Sequence, residues 1–441
     1  MKIVQAVGWY FPDSVGGTEV YVAGLCRRLR AAGQEVLVAA PDPAHAAERT
    51  YEHDGVPVYR YPIPASPTRD EVQGAVRVRG AERFHRWLEA ERPDVVHAHT
   101  FVTGLGLHEL RAARAAGARV VATTHSASLG WICQRGTMMR WGTEACDGVC
   151  RPAKCAACAL AARGIPQPVA AALGALPPGL ARGARRLRGR LGTALGMSDL
   201  IARNQRMQAA MLATVDRFVL LTSWALEAVA ANGAPRERLA LNRLGLSQGK
   251  VVAKPGPDEQ PTERPITVGY LGRYDAVKGV RDLARAAASL PRGLELRVEF
   301  RGPVRSAAER AVRDELRAIA GGDPRVTFAD AVSAPDAPRV LAGYDVLCCP
   351  SVCAEGGPTV AIEAHAVGTP VIGTRIGGLA ELVDDGVNGA LVPPGDWQAL
   401  AALLGELGRD GAATIDRWRL RLPPARTMDQ IAADYLSVYA S

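Results

Sequence analysis

No apolar run in this sequence reaches the roughly 18 residues that cross a bilayer, and the N-terminus, MKIVQAV, reads directly as a first strand. The expectation is a cytoplasmic chain that carries no evident export signal and spans no membrane. Aromatic residues are scarce at 5%, lysines number only five and cysteines nine. Nine thiols in 441 residues are too few for a disulfide framework. The rest of the composition, 48% apolar and 22% charged, excludes a disordered or fibrous chain. At this length a single core is too small a plan, so two domains of about 200 residues are expected. The net charge of +8 rests on arginines mostly scattered among Ala and Glu, which favours a solvated surface over a nucleic-acid partner.

Short β-branched runs alternate with Ala/Leu/Arg-rich helical stretches. Strands are predicted at 2–7, 35–40, 94–98 and 119–124, with helices near 18–32, 78–92 and 104–115. The rhythm restarts at 266–271 and continues through 294–300, 325–328, 345–349 and 370–373. Strands alternating with helices imply buried parallel sheets. The fold class is therefore α/β, with two Rossmann-like doubly wound domains. Domain boundaries are expected at 1–215 and 216–414, with an insertion over 126–207 and a last segment, 415–441, containing a helix. The stretch 250–264, rich in Pro, Gly and charge, resembles a surface linker.

In doubly wound sheets ligands bind at the carboxyl ends of the strands, so the loops there carry the candidates. The first ends in Gly16-Gly17 just before a helix, where glycines let backbone N–H groups approach a phosphate. Neither the dinucleotide fingerprint nor the P-loop pattern occurs in it. In the second half, Arg273 and Lys278 straddle a strand-to-helix turn, a fork and a point charge suited to two adjacent phosphoryl groups. After a later strand, Glu355 and Glu363 flank Gly356, Gly357, Pro358 and Thr359. Two carboxylates beside a helix N-terminus suit a ligand with both hydroxyls and phosphates.

Taken in order, Gly16-Gly17, RPDVVHAHT at 92–100, VVATTHS at 120–126, LLTSW at 220–224, GYLGRYDAVKG at 269–279, the Glu355/Glu363 pair and GTRIGGLAELVDDGVNGALVPPGD at 373–396 resemble one family. It is the retaining, nucleotide-sugar-dependent glycosyltransferases of family four, with GT-B architecture: two such domains facing across a cleft. The resemblance implies that Arg273 and Lys278 bind the donor diphosphate and Glu363 the ribose hydroxyls. It implies that Glu355 and the 356–359 backbone hold the sugar, that Gly16 and Gly17 approach the phosphates, and that His125 faces the transferred sugar. It further implies a UDP- or GDP-sugar donor, an unidentified acceptor, retention of configuration, no catalytic divalent metal, and a last helix packing back onto the first domain. The segment 241–247 departs from the family's usual turn, so contacts there are not carried over. The alternatives are a GT-B phosphorylase or epimerase, or a catalytically silent sugar- or nucleotide-binding protein with a zinc module.

Two features stand apart. Five cysteines crowd into 133–158, and Cys155-x2-Cys158 has the spacing by which two thiolates share one tetrahedral metal. Structural zinc on Cys133, Cys150, Cys155 and Cys158, with Cys146 as the alternative ligand, is the leading expectation, an iron–sulfur cluster or free thiols the others. The arginines of 182–190 read as a solvated face, a nucleic-acid contact or a peripheral contact with anionic lipid, no nucleic acid being the expectation.

Overall fold

The computed structural model describes every residue except 15, 130, 131, 185, 186, 188 and 247–263. The chain divides into two compact units, one of Met1–Trp141, Cys146–Ser247 and Thr427–Ser441, the other of Gly142–Ala145 and Gln248–Arg426.

The first unit is built on eight strands: β1 (Lys2–Ala6), β2 (Glu35–Asp42), β3 (Arg49–His53), β4 (Val56–Pro62), β5 (Val95–Ala98), β6 (Arg119–Thr123), β9 (Arg217–Leu220) and β10 (Leu239–Leu241). Between β6 and β9 fall two two-residue strands, β7 (Met139–Arg140) and β8 (Glu144–Ala145). The sheet order is β10-β9-β6-β5-β1-β2-β4-β3, parallel except for the antiparallel β3–β4 pair. β1, β5 and β6 are buried along nearly their whole length, as parallel strands covered on both faces must be. Its helices are α1 (Gly17–Ala31), α2 (Arg69–Val72), α3 (Glu82–Glu91), α4 (Leu107–Ala115), α5 (Pro152–Ala161), α6 (Gln167–Gly174), α7 (Pro178–Ala184), α8 (Gly189–Leu195), α9 (Met197–Thr214) and α10 (Ser223–Ala231).

The second unit carries six parallel strands in the order β13-β12-β11-β14-β15-β16. They are β11 (Ile266–Leu271), β12 (Leu296–Arg301), β13 (Val326–Ala329), β14 (Val346–Cys349), β15 (Val371–Thr374) and β16 (Gly389–Val392). The helices are α11 (Val280–Ser289), α12 (Ala307–Ala320), α13 (Ala337–Gly343), α14 (Thr359–Ala366), α15 (Gly377–Leu382), α16 (Trp397–Asp410) and α17 (Ala412–Arg419). Both faces of this sheet are packed, one around Phe300, Leu283 and Leu404, the other around Leu347, Ala361 and Leu379. A last helix, α18 (Met428–Ala440), belongs to the first unit, where Ile431, Tyr435 and Tyr439 join its core.

Three boundaries differ from the sequence reading. The first unit extends past 215, because β9 pairs with β6 through Val121–Arg217, Ala122–Phe218 and Thr123–Val219. The last segment divides: α17 stays with the second unit while residues 427–441 join the first. The expected insertion of 126–207 includes most of α9, which packs against α4 and α5 and is part of the fold. No helix among the described residues is long and apolar enough to cross a membrane.

Candidate functional site

The strand order of the second unit reverses between β11 and β14, and ligands of open α/β sheets bind outside the carboxyl ends of the strands at such a switch. The two loops that begin there are Gly272–Lys278 and Pro350–Pro358, which hold Arg273, Lys278 and Glu355. Lys278 Nζ lies 2.6 Å from Glu355 Oε2 in a partly buried ion pair. Ser351 Oγ donates to the other oxygen of Glu355. The loops are also tied by Val352 N–H to the carbonyl of Val277 at 2.9 Å. Gly279 ends the first loop in the left-handed region, φ +67°, and a Cβ there would stand 1.7 Å from the Pro350 carbonyl oxygen. Only glycine permits that approach.

Arg273 is exposed, its guanidinium 3.6 Å from Asp275. Asp275 Oδ1 accepts from Val277 N–H and caps the turn that presents Lys278. On the far side of the 350–358 loop, Gly378 N–H donates to the Glu355 carbonyl at 2.8 Å, and Gly377 and Gly378 lie against the backbone of Ala354, Glu355 and Gly357. Pro358 is the N-cap of α14 and Thr359 its first residue. Glu363 sits on that helix, where burial pushes its carboxyl up to about 7. Among the described residues none bonds or ion-pairs with the Glu363 carboxyl, and burial alone sets its shift. Sequence reasoning missed Ser351, Gly279 and the Gly377-Gly378 pair. Gly279 and the Gly377-Gly378 pair fall within the stretches 269–279 and 373–396 that carry the resemblance, whereas nothing local pointed to Ser351.

In the first unit the order reverses between β1 and β5. The loop after β1 is anchored by Gly8 N–H to Thr100 Oγ1 at 3.0 Å and leads to Gly16, the N-cap of α1, and Gly17. A Cβ on Gly16 would come within 2.7 Å of Glu19 Oε2. The glycine therefore makes room for the buried Glu19 carboxylate, which Ser14 Oγ also holds at 2.6 Å. Glu19 was not singled out in the sequence.

His125 follows β6 and is kept neutral by burial, its pKa lowered to about 4. It joins a buried polar chain. Gln5 Oε1 is 2.6 Å from His99 Nε2, and His99 Nδ1 is 3.2 Å from His125 Nε2. The Gln5 amide nitrogen donates to Tyr439 Oη at 3.2 Å, so its oxygen faces His99. An amide oxygen only accepts; hence His99 carries its proton on Nε2 and accepts on Nδ1 from His125 Nε2–H. The remaining lone pair of His125 is on Nδ1. Tyr439 Oη also meets His97 Nδ1 at 2.7 Å, so α18 is built into this network.

The cysteine module behaves differently from the expectation. All five thiols are free, and Cys133, Cys146, Cys155 and Cys158 line one cavity of about 30 Å³, while Cys150 is buried outside it. Among the described residues no group of three or more His, Cys, Asp or Glu side chains is arranged to hold a metal. The set Cys133, Cys150, Cys155 and Cys158 is thus not assembled as a metal site; Cys150 and Cys155 are hydrogen-bonded to each other, and three of the sulfurs also meet the backbone. Cys133 accepts from Met138 N–H and Cys155 from Arg151 N–H, both at 3.4 Å, and Cys158 donates to the Met139 carbonyl at 3.7 Å. The hydrogen bond from Cys150 lowers the pKa of the Cys155 thiol below its ordinary value. Cys348, Cys349 and Cys353 are buried, with their thiols pushed up by desolvation. Of the arginine segment, residues 185, 186 and 188 lie outside the described residues, as does Ser247 of the divergent turn.

Two family models match separate parts of the chain: Glycosyltransferase Family 4 over residues 15–171 and Glycosyl transferases group 1 over 265–410. D-inositol 3-phosphate glycosyltransferase of Mycobacterium sp. (strain KMS) is 39% identical over 160 residues, 35% of either chain. The match thus spans about a third of that relative's length. The same enzyme of Salinispora tropica is 29% identical over 96% of this chain and 80% of its own. Among solved structures, Anabaena HepE in complex with UDP and glucose superposes over 100% of both chains with a TM-score of 0.63 at 18% identity, a likeness of fold. The paired sheets, the loops at their switch points and both family matches agree: this chain belongs to the GT-B glycosyltransferases of group-one and family-four type.

Proposed function

We propose that the chain transfers a sugar from a nucleotide diphosphate donor to an acceptor hydroxyl, with retention at the anomeric carbon. The observation that carries this reading is the pair of loops at the β11/β14 switch, where Lys278 is held by Glu355 and Arg273 stands exposed beside it. HepE, of the same fold, binds UDP and glucose, which supports a nucleotide-sugar donor. Lys278 and Arg273 bind the diphosphate and stabilise the charge that grows on it as the glycosidic C–O bond breaks. The electron pair of that bond leaves with the phosphate oxygen. The acceptor oxygen attacks from the same face and gives its proton to the departing phosphate. These two cations supply the charge stabilisation without a divalent metal.

Glu363 accepts from the ribose hydroxyls, and Glu355 with the 356–359 backbone orients the sugar. In the first unit, Gly16 and Gly17 open the loop after β1 to the phosphates, and His125 offers Nδ1 as an acceptor to a hydroxyl of the transferred sugar. The acceptor is a polyol such as an inositol phosphate, the group in the names of the Mycobacterium and Salinispora relatives. Incubation with a panel of UDP- and GDP-sugars, with proton NMR of the released or transferred sugar, tests the reading. The expected result is one preferred donor and a product with the donor's anomeric configuration. An inverted product overturns retention, and no turnover of any donor by folded protein favours a silent binding protein.

A structural zinc in the cysteine module rests on the C-x2-C spacing and on the cavity that four thiols line. Metal analysis of protein purified without chelator reads it directly. One zinc per chain, lost in Cys155→Ser/Cys158→Ser, establishes the site, and its loss in Cys146→Ser but not in Cys150→Ser puts Cys146 in place of Cys150; metal-free, fully folded protein removes it.

A further inference from the structure

Between Asp147 and Asp199 the sequence has no acidic residue and eight basic ones, Arg151, Lys154, Arg163, Arg182, Arg185, Arg186, Arg188 and Arg190. That excess of eight equals the net charge of the whole chain, so the remaining positions balance. The same stretch contains 18 consecutive residues, 164–181, with no charge at all. In the structure these residues form α6 and α7, short helices packed on α5 and α9, and α8 follows them.

Their packing inverts the usual surface-helix pattern. The positions facing inward carry the small side chains Ala170, Gly174, Ala181 and Gly192. A Cβ on Gly174 would stand 2.7 Å from the Ala153 carbonyl oxygen, so close approach to α5 is what glycine secures there. Four of the larger apolar side chains point outward, Val169 at 50% exposed, Leu180 at 72%, Leu187 at 48% and Leu191 at 64%, while Leu173, Leu176 and Leu195 are half-buried. A soluble surface helix buries its large apolar side chains and exposes its charges. Here large apolar residues and arginines are exposed together. Arg182 keeps 69% of its side chain in solvent with Asp199 at 3.5 Å, and Arg190 is exposed as well.

We propose that the α6–α8 face docks the protein on an anionic lipid bilayer, with Val169, Leu180, Leu187 and Leu191 entering the headgroup–acyl boundary and Arg182 and Arg190 meeting lipid phosphates. Charge alone fits any polyanion, but the four outward aliphatic side chains gain free energy only from an apolar phase. A nucleic acid offers backbone phosphates and stacking bases, and residues 142–217 contain no aromatic side chain on which a base stacks. A second copy of this chain would set the same positive face against itself in a two-fold interface. An anionic membrane surface satisfies both halves of the pattern. This inference is independent of the donor site and stands or falls without it.

The test is flotation of the full chain with phosphatidylcholine vesicles and with vesicles containing 30% phosphatidylglycerol. Wild-type protein should float with the anionic vesicles and stay below with the neutral ones. Arg182→Gln/Arg190→Gln should bind about thirtyfold more weakly, since each basic residue at an anionic surface contributes about 1 kcal/mol. Leu180→Asp/Leu191→Asp should lose flotation even at low salt, with circular dichroism and melting unchanged because both positions are exposed. Absence of flotation by the wild type overturns the proposal. So does unimpaired binding by the leucine variant, which would mark a purely electrostatic polyanion site, as salt-sensitive retention of a DNA oligonucleotide would confirm. Concentration-dependent dimerisation of the wild type, abolished by the leucine variant without any vesicle binding, would assign the face to a second copy instead.

Discussion

Replacing Lys278 with Ala is expected to lower turnover of the nucleotide-sugar donor by roughly 10²–10³-fold, the range seen when one preorganised donor to a developing oxyanion is removed. The size of the effect follows from how the side chain is held. Its ammonium is 2.6 Å from Glu355, which is fixed in turn by Ser351 and by the Gly378 N–H on the Glu355 carbonyl. The cation is therefore in place before the diphosphate arrives. Removing it deletes one positive charge and leaves the Glu355 carboxylate facing the phosphates. Because the charge on the leaving group grows toward the transition state, kcat should fall more than KM rises. Lys278→Ala/Glu355→Gln should recover part of the loss, since the repelling carboxylate is then neutral. Steady-state kinetics of the single and double variants check this; a Lys278→Ala enzyme with unchanged kcat sinks the assignment.

The second large effect concerns pH. Burial raises the Glu363 carboxyl to about 7 from its ordinary 4.5. A raised acid pKa means that the folded state tolerates the proton better than the charge. The stability this contributes is complete below about 4.5 and is lost as pH rises through about 7. Glu363→Gln removes that loss. At pH 8.5 the variant should be more stable than wild type by up to about 3 kcal/mol, with the two converging near pH 4.5. The same variant should bind UDP at least about tenfold more weakly, because the ribose hydroxyls lose a carboxylate acceptor. Melting curves at pH 4.5 and 8.5 with UDP titrations read both halves. A variant no more stable than wild type at pH 8.5 contradicts the burial argument, and one that binds UDP as tightly contradicts the ribose assignment. A stabilising substitution that costs binding is the signature of a residue kept for function.

The strands around both switch points were legible because parallel strands buried on two faces are nearly continuous apolar runs, as in Ile266–Leu271, Val346–Cys349 and Val371–Thr374. The edge of the first sheet was not. β3 alternates half-buried and exposed residues without one buried position, and Pro57 and Pro62 obscure β4, whose partner β3 runs antiparallel to it. The domain boundary was missed because β9 resembles any other short apolar run, and only its pairing with β6 assigns it to the first unit.

Within the site, Arg273, Lys278, Glu355 and Glu363 were visible as charged residues at fixed offsets from strands. Their relations were not. The Lys278–Glu355 pair joins residues 77 positions apart. Likewise, the tautomer of His125 depends on Gln5 and on Tyr439, more than 300 positions away in sequence. Periodicity and spacing carry local information, whereas ion pairs and proton positions are set by tertiary neighbours. The cysteines show the converse. Their spacing suits a metal, yet in the folded module Cys133, Cys146, Cys155 and Cys158 meet backbone or side-chain groups and Cys150 bonds to Cys155.

The central claim is that a nucleoside diphosphate binds at the β11/β14 switch of the second unit. Calorimetric titration of UDP and GDP into the full chain, beside Arg273→Ala/Lys278→Ala, tests it most directly. One saturable site per chain for one of the two nucleotides, weakened at least about a hundredfold in the double variant with its melting behaviour intact, is the predicted result. Binding unchanged by the double substitution, or no binding of either nucleotide by folded wild-type protein, would contradict it.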